Sequence, residues 1–138
     1  MDFEYHIEGG DFAHAGQASS HLKKILRSLN LDSAFIRRTV VAMYEAEVNV
    51  VAHAWSGTIN VSIKPDQIKI DVSDAGPGIQ NIEQAMQKGF STASPAVREM
   101  GFGAGMGLSN ILENSDSMNI RSTSGKGTEL QIINRIQP

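Results

Sequence analysis

Cysteine is absent from this chain of 138 residues, which excludes disulfides, cysteine-based metal sites and thiol catalysis. The chain also lacks any run close to the roughly 20 apolar residues that a membrane-spanning helix needs. Its first residues, Met1-Asp2-Phe3-Glu4, do not have the basic character with which a signal peptide begins. We therefore expect a cytoplasmic protein that does not interact with membranes.

The chain also has no excess of positively charged residues. The formal net charge is −3, so no general attraction to nucleic acid is expected. The basic residues of two predicted helices form small groups, Lys23, Lys24 and Arg27 in the first and Arg37 and Arg38 in the second. Two interpretations stay open for these groups, a solvated helix face or a docking surface for an acidic protein partner.

The composition that is present, 41% hydrophobic and 20% charged residues, is typical of a soluble globular protein. A chain of this length forms one domain, 1–138, around a single core. Alternation of apolar and polar residues predicts five strands, near 3–7, 57–64, 67–74, 117–123 and 128–135. Helical periodicity predicts four helices, near 11–29, 32–55, 81–89 and 108–115, the first capped by Asp11 and the second by Asp32 or Ser33.

This order of elements predicts an α/β sandwich, in which one mixed, mainly antiparallel sheet has helices packed on one face. Residues 90–100 show no clear period and contain several small side chains. We expect this segment to be a mobile lid.

The second predicted helix is apolar nearly all round, which is typical of a helix in a protein core. Its polar residues include Glu45, Asn49 and His53, whose spacing of four residues places them on one face. Burying an ionised Glu without partners is costly, so this face either borders solvent or binds something. A solvent-facing stripe and the wall of a functional site are the two interpretations.

Glycine occupies every second position from Gly101 through Gly103 and Gly105 to Gly107, and a predicted helix begins at Leu108. Such a run lets several backbone N–H groups converge on one anion, and the start of a helix adds further unpaired N–H groups. The stretch predicts a phosphate-binding loop, with a flexible polar loop as the alternative. Its spacing matches neither the dinucleotide-binding fingerprint nor the Walker A loop.

Two further glycine motifs adjoin predicted strands. Asp74-Ala75-Gly76-Pro77-Gly78 follows the third strand, and Gly125-x-Gly127-Thr128 leads into the last one. With Glu45-x-x-x-Asn49 and the glycine run, these motifs stand in an order that resembles the GHKL superfamily of ATPases. Gyrase, MutL-type repair proteins, heat-shock chaperones and sensor histidine kinases share this superfamily. The resemblance covers about 45–128 and implies the Bergerat ATP-binding fold.

The resemblance implies a site for the adenine of ATP. Asp74 would accept a hydrogen bond from the exocyclic amine, and Thr128 would join it through a water molecule. Gly76 and Gly78 would make room for the base.

The resemblance also implies a site for the phosphates and Mg²⁺. Asn49 would be the Mg²⁺ ligand, since a carbonyl oxygen suits a hard cation that otherwise keeps water and phosphate oxygens. Glu45 would be the general base that activates the group attacking the γ-phosphate. The residues assigned to the phosphates and their surroundings are Gly101, Gly103, Gly105, Gly107 and Leu108.

Within the superfamily, the compact length and the segment 87–92 resemble the bacterial anti-sigma-factor and stressosome serine/threonine kinases. This implies a Mg-ATP-dependent serine/threonine protein kinase of a partner-switching pathway. Its substrate would be a Ser or Thr of a STAS-domain antagonist protein. A histidine kinase would need a helical segment with a phospho-acceptor His, and the four His of this chain do not suit that role.

The alternative is a nucleotide-gated anti-sigma factor or regulator-binding module with little or no catalysis. Its partner would be a sigma factor or another downstream regulator. The segment 94–100 is longer than expected for a switch kinase and resembles the lid of the anti-sigma factors. The oligomeric state is open, with a homodimer as one alternative.

Overall fold

The structure is a computed structural model that describes residues 1–79, 81–87 and 107–137. The strands are β1 (Asp2–Glu8), β2 (Ser56–Ile63), β3 (Gln67–Ala75), β4 (Ser117–Thr123) and β5 (Gly127–Arg135). The helices are α1 (Gln17–Ser28), α2 (Ser33–His53), α3 (Ile82–Ala85) and α4 (Gly107–Glu113). The predicted lid at 90–100 and three predicted phosphate-loop residues, Gly101, Gly103 and Gly105, lie outside the described residues.

The five strands form one sheet in the order β1-β2-β3-β5-β4, and the four described pairings are all antiparallel. Short turns join β2 to β3 and β4 to β5, as antiparallel neighbours permit. The predicted α/β sandwich is confirmed, but the described part of its sheet is antiparallel rather than mixed. β3 is the central strand, so β2 and β5 flank the end of β3 that carries Asp74.

The core lies between the sheet and the helices. Ile68, Ile70 and Val72 of β3 are buried, while the residues between them are more exposed. Apolar residues of β2, β5, α1 and α2 join them in one cluster. α2 is the central helix, and both α1 and α4 pack against it. Among the helices described, none is both long and apolar enough to cross a membrane.

The first helix begins later than predicted. Asp11 precedes only a 3₁₀ turn, Phe12–His14, and its carboxylate lies 2.8 Å from the His14 ring instead of capping a backbone N–H. Gly16 has a left-handed φ of 96°, which interrupts helical backbone and is easy only for glycine. α1 therefore starts at Gln17, and the prediction that Asp11 caps it is wrong.

A buried carboxylate from the neighbouring helix caps α1 instead. Glu47 of α2 is 1% exposed. Its Oε2 accepts hydrogen bonds from the backbone N–H groups of Gly16 and Ala18, and its Oε1 accepts from the N–H and the hydroxyl of Ser19. These bonds satisfy the unpaired donors at the start of the helix and offset the cost of burying the charge.

The second helix begins where it was predicted to begin, but it ends before the predicted limit near residue 55. Asp32 is the cap, because its Oδ2 accepts from the N–H of Phe35 at 3.2 Å. The helix ends at His53, since Ala54 is extended and the N–H of Trp55 donates to the carbonyl of Ala75 in the sheet. The five strands begin and end within one residue of the predicted limits.

Candidate functional site

The first part of the site is the face of α2 that carries Glu45 and Asn49. Both residues are partly buried. A Cβ at Gly107, the first residue of α4, would stand 2.7 Å from Oδ1 and 3.1 Å from Nδ2 of Asn49. The start of α4 therefore touches the Asn49 amide, and residue 107 can come this close because it has no side chain.

Glu45 has a polar neighbour on α4 that the sequence analysis missed. Nδ2 of Asn110 donates a hydrogen bond to Oε1 of Glu45 at 3.4 Å. Burial raises the pKa of Glu45, and the hydrogen bond from Asn110 partly opposes this. A carboxylate with a raised pKa is a stronger proton acceptor once it is ionised. Asn110 follows Gly107 by three residues, which is the helical spacing that could have indicated it.

The second part of the site lies at the end of β3. The backbone N–H of Thr128 donates to Oδ1 of Asp74 at 3.0 Å, which joins two residues that the sequence analysis assigned to one adenine site. Burial raises the pKa of Asp74, and the bond from Thr128 lowers it by a smaller amount. Gly127 has φ 148°, and a Cβ there would stand 2.0 Å from the Asp74 carbonyl oxygen. Only glycine allows this close approach.

Gly76 and Gly78 are needed for contacts within the chain. A Cβ at Gly76 would stand 3.0 Å from Cα of Ala54, and one at Gly78, whose φ is 74°, would stand 2.5 Å from the Thr123 carbonyl oxygen. The N–H of Gly76 also donates to the carbonyl of Lys126. The glycines thus seat the loop after β3 against α2 and β4. Their predicted role of making room for a base stays a prediction.

A serine that the sequence analysis missed ties this loop to β5. The hydroxyl of Ser122, on β4, accepts from the N–H of Ile79 at 2.7 Å. It also lies 3.1 Å from the carbonyl oxygen of Gly127 and 3.0 Å from Oγ1 of Thr128. Ser122 therefore connects the loop that follows Asp74 to the Thr128 side chain.

The two parts of the site adjoin each other through Gly57. This residue lies opposite Asp74 in the β2–β3 pairing. A Cβ at Gly57 would stand 2.9 Å from Cγ1 of Val50 and 3.3 Å from Cβ of Asp74. The end of the sheet thereby meets α2 at the residue that follows Asn49.

His53 continues the Glu45 and Asn49 face by one helical turn. Its carbonyl oxygen would stand 3.5 Å from a Cβ at Gly76, so the end of α2 borders the loop that follows β3. Burial lowers the pKa of His53 and favours the neutral ring.

The described residues are compatible with a Mg²⁺ ion whose ligands are mainly water and phosphate oxygens. Within them, no group of three or more His, Asp or Glu could hold a metal ion. Mg²⁺ is usually bound by one or two protein oxygens together with water and phosphate, and the Asn49 amide beside Gly107 is such an oxygen donor. Leu108, which was assigned to the phosphate surroundings, is partly buried and packs against the core.

Comparison with known proteins identifies the family. Residues 10–134 match the family described as the histidine kinase-like ATPase domain, and the chain belongs to this family. The predicted resemblance is thus confirmed, and the family description implies the use of ATP.

Curated relatives are similar over most of their length. The chain is 32% identical over 127 residues to the serine/threonine-protein kinase RsbT of Bacillus subtilis (strain 168), covering 89% of this chain and 87% of the relative. It is 35% identical over 107 residues to the anti-sigma F factor of Pasteuria penetrans, covering 72% of this chain and 67% of the relative. Among solved structures, the mycobacterial sensor histidine kinase MprB is similar in fold, with a TM-score of 0.55 at 16% identity over 100% of this chain and 99% of that one.

Proposed function

We propose that the protein is a Mg-ATP-dependent serine/threonine protein kinase of a bacterial partner-switching pathway, and that it phosphorylates a Ser or Thr of a STAS-domain antagonist protein. The observation that carries the proposal is that two pairs of residues lie next to each other in the fold. Glu45 and Asn49 share one face of α2. Asp74, near the adjoining end of β3, is hydrogen-bonded to Thr128, near the start of β5. The name of the relative RsbT, a serine/threonine-protein kinase, supports this activity, and the name of the relative anti-sigma F factor supports a pathway that acts on a sigma factor.

Asp74 and Thr128 would bind the base. Oδ1 of Asp74 already accepts the N–H of Thr128, which leaves Oδ2 to accept from a donor on the nucleotide. The amine of adenine is such a donor, whereas the carbonyl oxygen at the same position of guanine is not. A pocket that offers acceptors therefore favours ATP over GTP.

Glu45 and Asn49 would serve the phosphoryl transfer. Mg²⁺, when bound, neutralises phosphate charge and orients the γ-phosphate for attack. Asn49 would hold the metal through its amide oxygen. Glu45 would take the proton of the attacking Ser or Thr hydroxyl, and its raised pKa suits a general base.

A second function, capture of a regulator without turnover, is favoured by a groove between α1 and α2. The groove has a volume of about 710 Å³, and its lining includes Lys23, Lys24 and Tyr44. Tyr44 is 40% exposed. Two lysines beside an exposed aromatic ring suit an acidic partner with apolar side chains. Arg38, which the sequence analysis counted with Arg37 as a docking candidate, instead pairs with Asp116 at 3.2 Å.

The test of the kinase is transfer of labelled phosphate from ATP to a purified STAS-domain protein. We expect Mg²⁺-dependent phosphorylation of Ser or Thr by the wild type and none by Asn49→Ala. Asn60→Ala, an exposed asparagine on β2, is the matched control and should transfer normally. Unchanged transfer by Asn49→Ala would exclude Asn49 as the metal ligand.

The second function is tested by retention of a sigma factor on the immobilised protein with ADP or with ATP. Stoichiometric retention without phosphorylation of any STAS-domain protein would favour the regulator-binding module. In that case the double variant Lys23→Glu, Lys24→Glu should lose the sigma factor and still bind ATP.

A further inference from the structure

Ser122 holds three hydrogen-bond contacts that a single hydroxyl can satisfy in only one arrangement. A hydroxyl has one hydrogen to donate and two lone pairs to accept with. The N–H of Ile79 occupies one lone pair. The carbonyl oxygen of Gly127 can only accept, so it takes the Ser122 hydrogen. The remaining contact, to Oγ1 of Thr128, then requires Thr128 to donate to Ser122.

This arrangement sets the direction of the Thr128 hydroxyl. Since its hydrogen points to Ser122, the Thr128 oxygen offers only lone pairs to whatever else it contacts. Asp74, whose Oδ1 already accepts from the N–H of Thr128, also offers only acceptors when it is ionised. The side chains of Asp74, near the end of β3, and of Thr128, near the start of β5, therefore present acceptors and no hydrogen of their own.

We infer that Ser122 is a specificity-determining residue for the nucleotide base, because it keeps Thr128 from donating a hydrogen bond into the pocket. The inference rests on the proposed adenine site. With Ser122 in place, a base that brings an amine is bound and one that brings a carbonyl oxygen is rejected. Without the Ser122 hydroxyl, the Thr128 hydroxyl can rotate and donate, directly or through water, to a carbonyl oxygen.

The experiment is calorimetric measurement of the dissociation constants for ATP and GTP with the full chain. In Ser122→Ala we expect the ratio of the GTP constant to the ATP constant to fall by about fivefold to tenfold, the scale of one hydrogen bond. Ser122→Thr keeps the hydroxyl and should keep the wild-type ratio. Ser73→Ala is the matched control, since Ser73 precedes Asp74 on β3 and is exposed. It should leave the ratio unchanged.

Measuring Ser122→Ala in a Thr128→Val background tells whether Ser122 acts by orienting the Thr128 hydroxyl or only by stabilising the loop that follows β3. Valine has no hydroxyl to reorient, so Ser122→Ala in that background should leave the GTP to ATP ratio unaltered. If the Ser122→Ala single variant binds ATP and GTP more weakly by the same factor, the inference is overturned. It is also overturned if Ser122→Ala changes the GTP to ATP ratio by the same factor in the Thr128→Val background as in the wild type. If Ser122→Ala does not fold, Ser122→Cys replaces it, and the ratio should fall in the same direction because a thiol is a weak hydrogen-bonding group.

Failure of the proposed adenine site gives a different result. Wild-type protein that binds ATP and GTP equally would contradict the role of Asp74 before any variant of Ser122 is measured. Wild-type preference for ATP together with an unchanged ratio in Ser122→Ala would overturn only the inference about Ser122.

Discussion

Nδ2 of Asn110 donates a hydrogen bond to Oε1 of Glu45 at 3.4 Å, and this bond joins α4 to the face of α2 that carries Glu45 and Asn49. It links the helix that follows the glycine run to the residue proposed as general base. Because a hydrogen bond to a carboxylate favours its charged form, Asn110 opposes the rise in the pKa of Glu45 that burial causes.

Removal of Asn110 should move the pH dependence of phosphoryl transfer. In Asn110→Ala the pKa of Glu45 rises further, and a base acts only when it is ionised. The acid limb of the rate profile should therefore shift to higher pH, while the rate well above the pKa changes less. The measurement is the transfer rate at saturating Mg-ATP across pH, with Asn119→Ala, an exposed asparagine on β4, as control. An acid limb that stays in place or shifts to lower pH would contradict the role of Asn110.

Replacement of Glu45 separates a base from a metal ligand. Glu45→Gln keeps the size of the side chain and removes the proton acceptor. If Glu45 is the base, Mg-ATP affinity should change little and the transfer rate should fall roughly 10²–10⁴-fold. The affinity is measured by calorimetry and the rate by single-turnover transfer. A loss of affinity as large as the loss of rate would instead indicate that Glu45 helps to hold Mg²⁺.

Gly107→Ala should disturb the proposed metal ligand without unfolding the protein. Its Cβ would stand 2.7 Å from Oδ1 of Asn49, and the Asn49 amide can move away because it is the end of a side chain. Because the clash is with this movable end and not with backbone, the melting temperature should change little. We expect ATP binding to lose most of its dependence on Mg²⁺, measured as the ratio of affinities with and without the cation.

Two outcomes would contradict this expectation for Gly107. An unchanged Mg²⁺ dependence would mean that the Asn49 amide does not contact the metal. A large loss of stability would mean that the Asn49 side chain cannot move away from the added methyl group.

Glu47→Ala should destabilise the fold, although Glu47 stands only two residues from Glu45. Its carboxylate accepts four hydrogen bonds from the start of α1, three of them from backbone N–H groups. Each buried donor left unsatisfied costs about 1–3 kcal/mol, so the free energy of unfolding should fall by about 3 kcal/mol or more. The measurement is urea denaturation followed by circular dichroism.

The control for Glu47 is Glu4→Ala, which truncates an exposed glutamate on β1 and should change stability by less than about 0.5 kcal/mol. The free energy of unfolding of Glu47→Gln should lie between those of the two alanine variants, since an amide keeps one accepting oxygen. A Glu47→Ala protein as stable as the Glu4→Ala protein would show that water can replace the carboxylate at the start of α1.

Much of the fold could be predicted because its signals are local. The alternation of Ile68, Ile70 and Val72 with polar residues reflects the two faces of a strand, and Asp32 caps a helix that begins one residue later. The family could be predicted because its motifs are short runs in a set order, from Glu45 and Asn49 to Gly127 and Thr128. Asp74 and Thr128, which the resemblance places at one adenine site, are joined by a direct hydrogen bond from the backbone N–H of Thr128, and their role in binding a base stays a prediction.

The residues that prediction missed act through contacts between distant parts of the chain. Glu47 looks in sequence like one more polar residue of α2, yet it caps a helix about 30 residues earlier. Asn110 and Ser122 belong to no motif, and their roles follow from the neighbours that packing gives them. Asp11 has the residue type and spacing of a helix cap, but it does not cap α1 because the left-handed backbone at Gly16 makes the helix begin at Gln17.

The sequence by itself determined which segments are strands and helices and which residue types carry the proposed chemistry, because backbone periodicity and short motifs depend on near neighbours. Only the tertiary structure decided which strands are neighbours in the sheet, that Gly57 and Gly107 allow the close approaches at the site, and that the Ser122 hydroxyl lies beside that of Thr128. The physical reason is that hydrogen-bond partners and burial are properties of the packed chain. They depend on which segments pack together, and local pattern does not encode that.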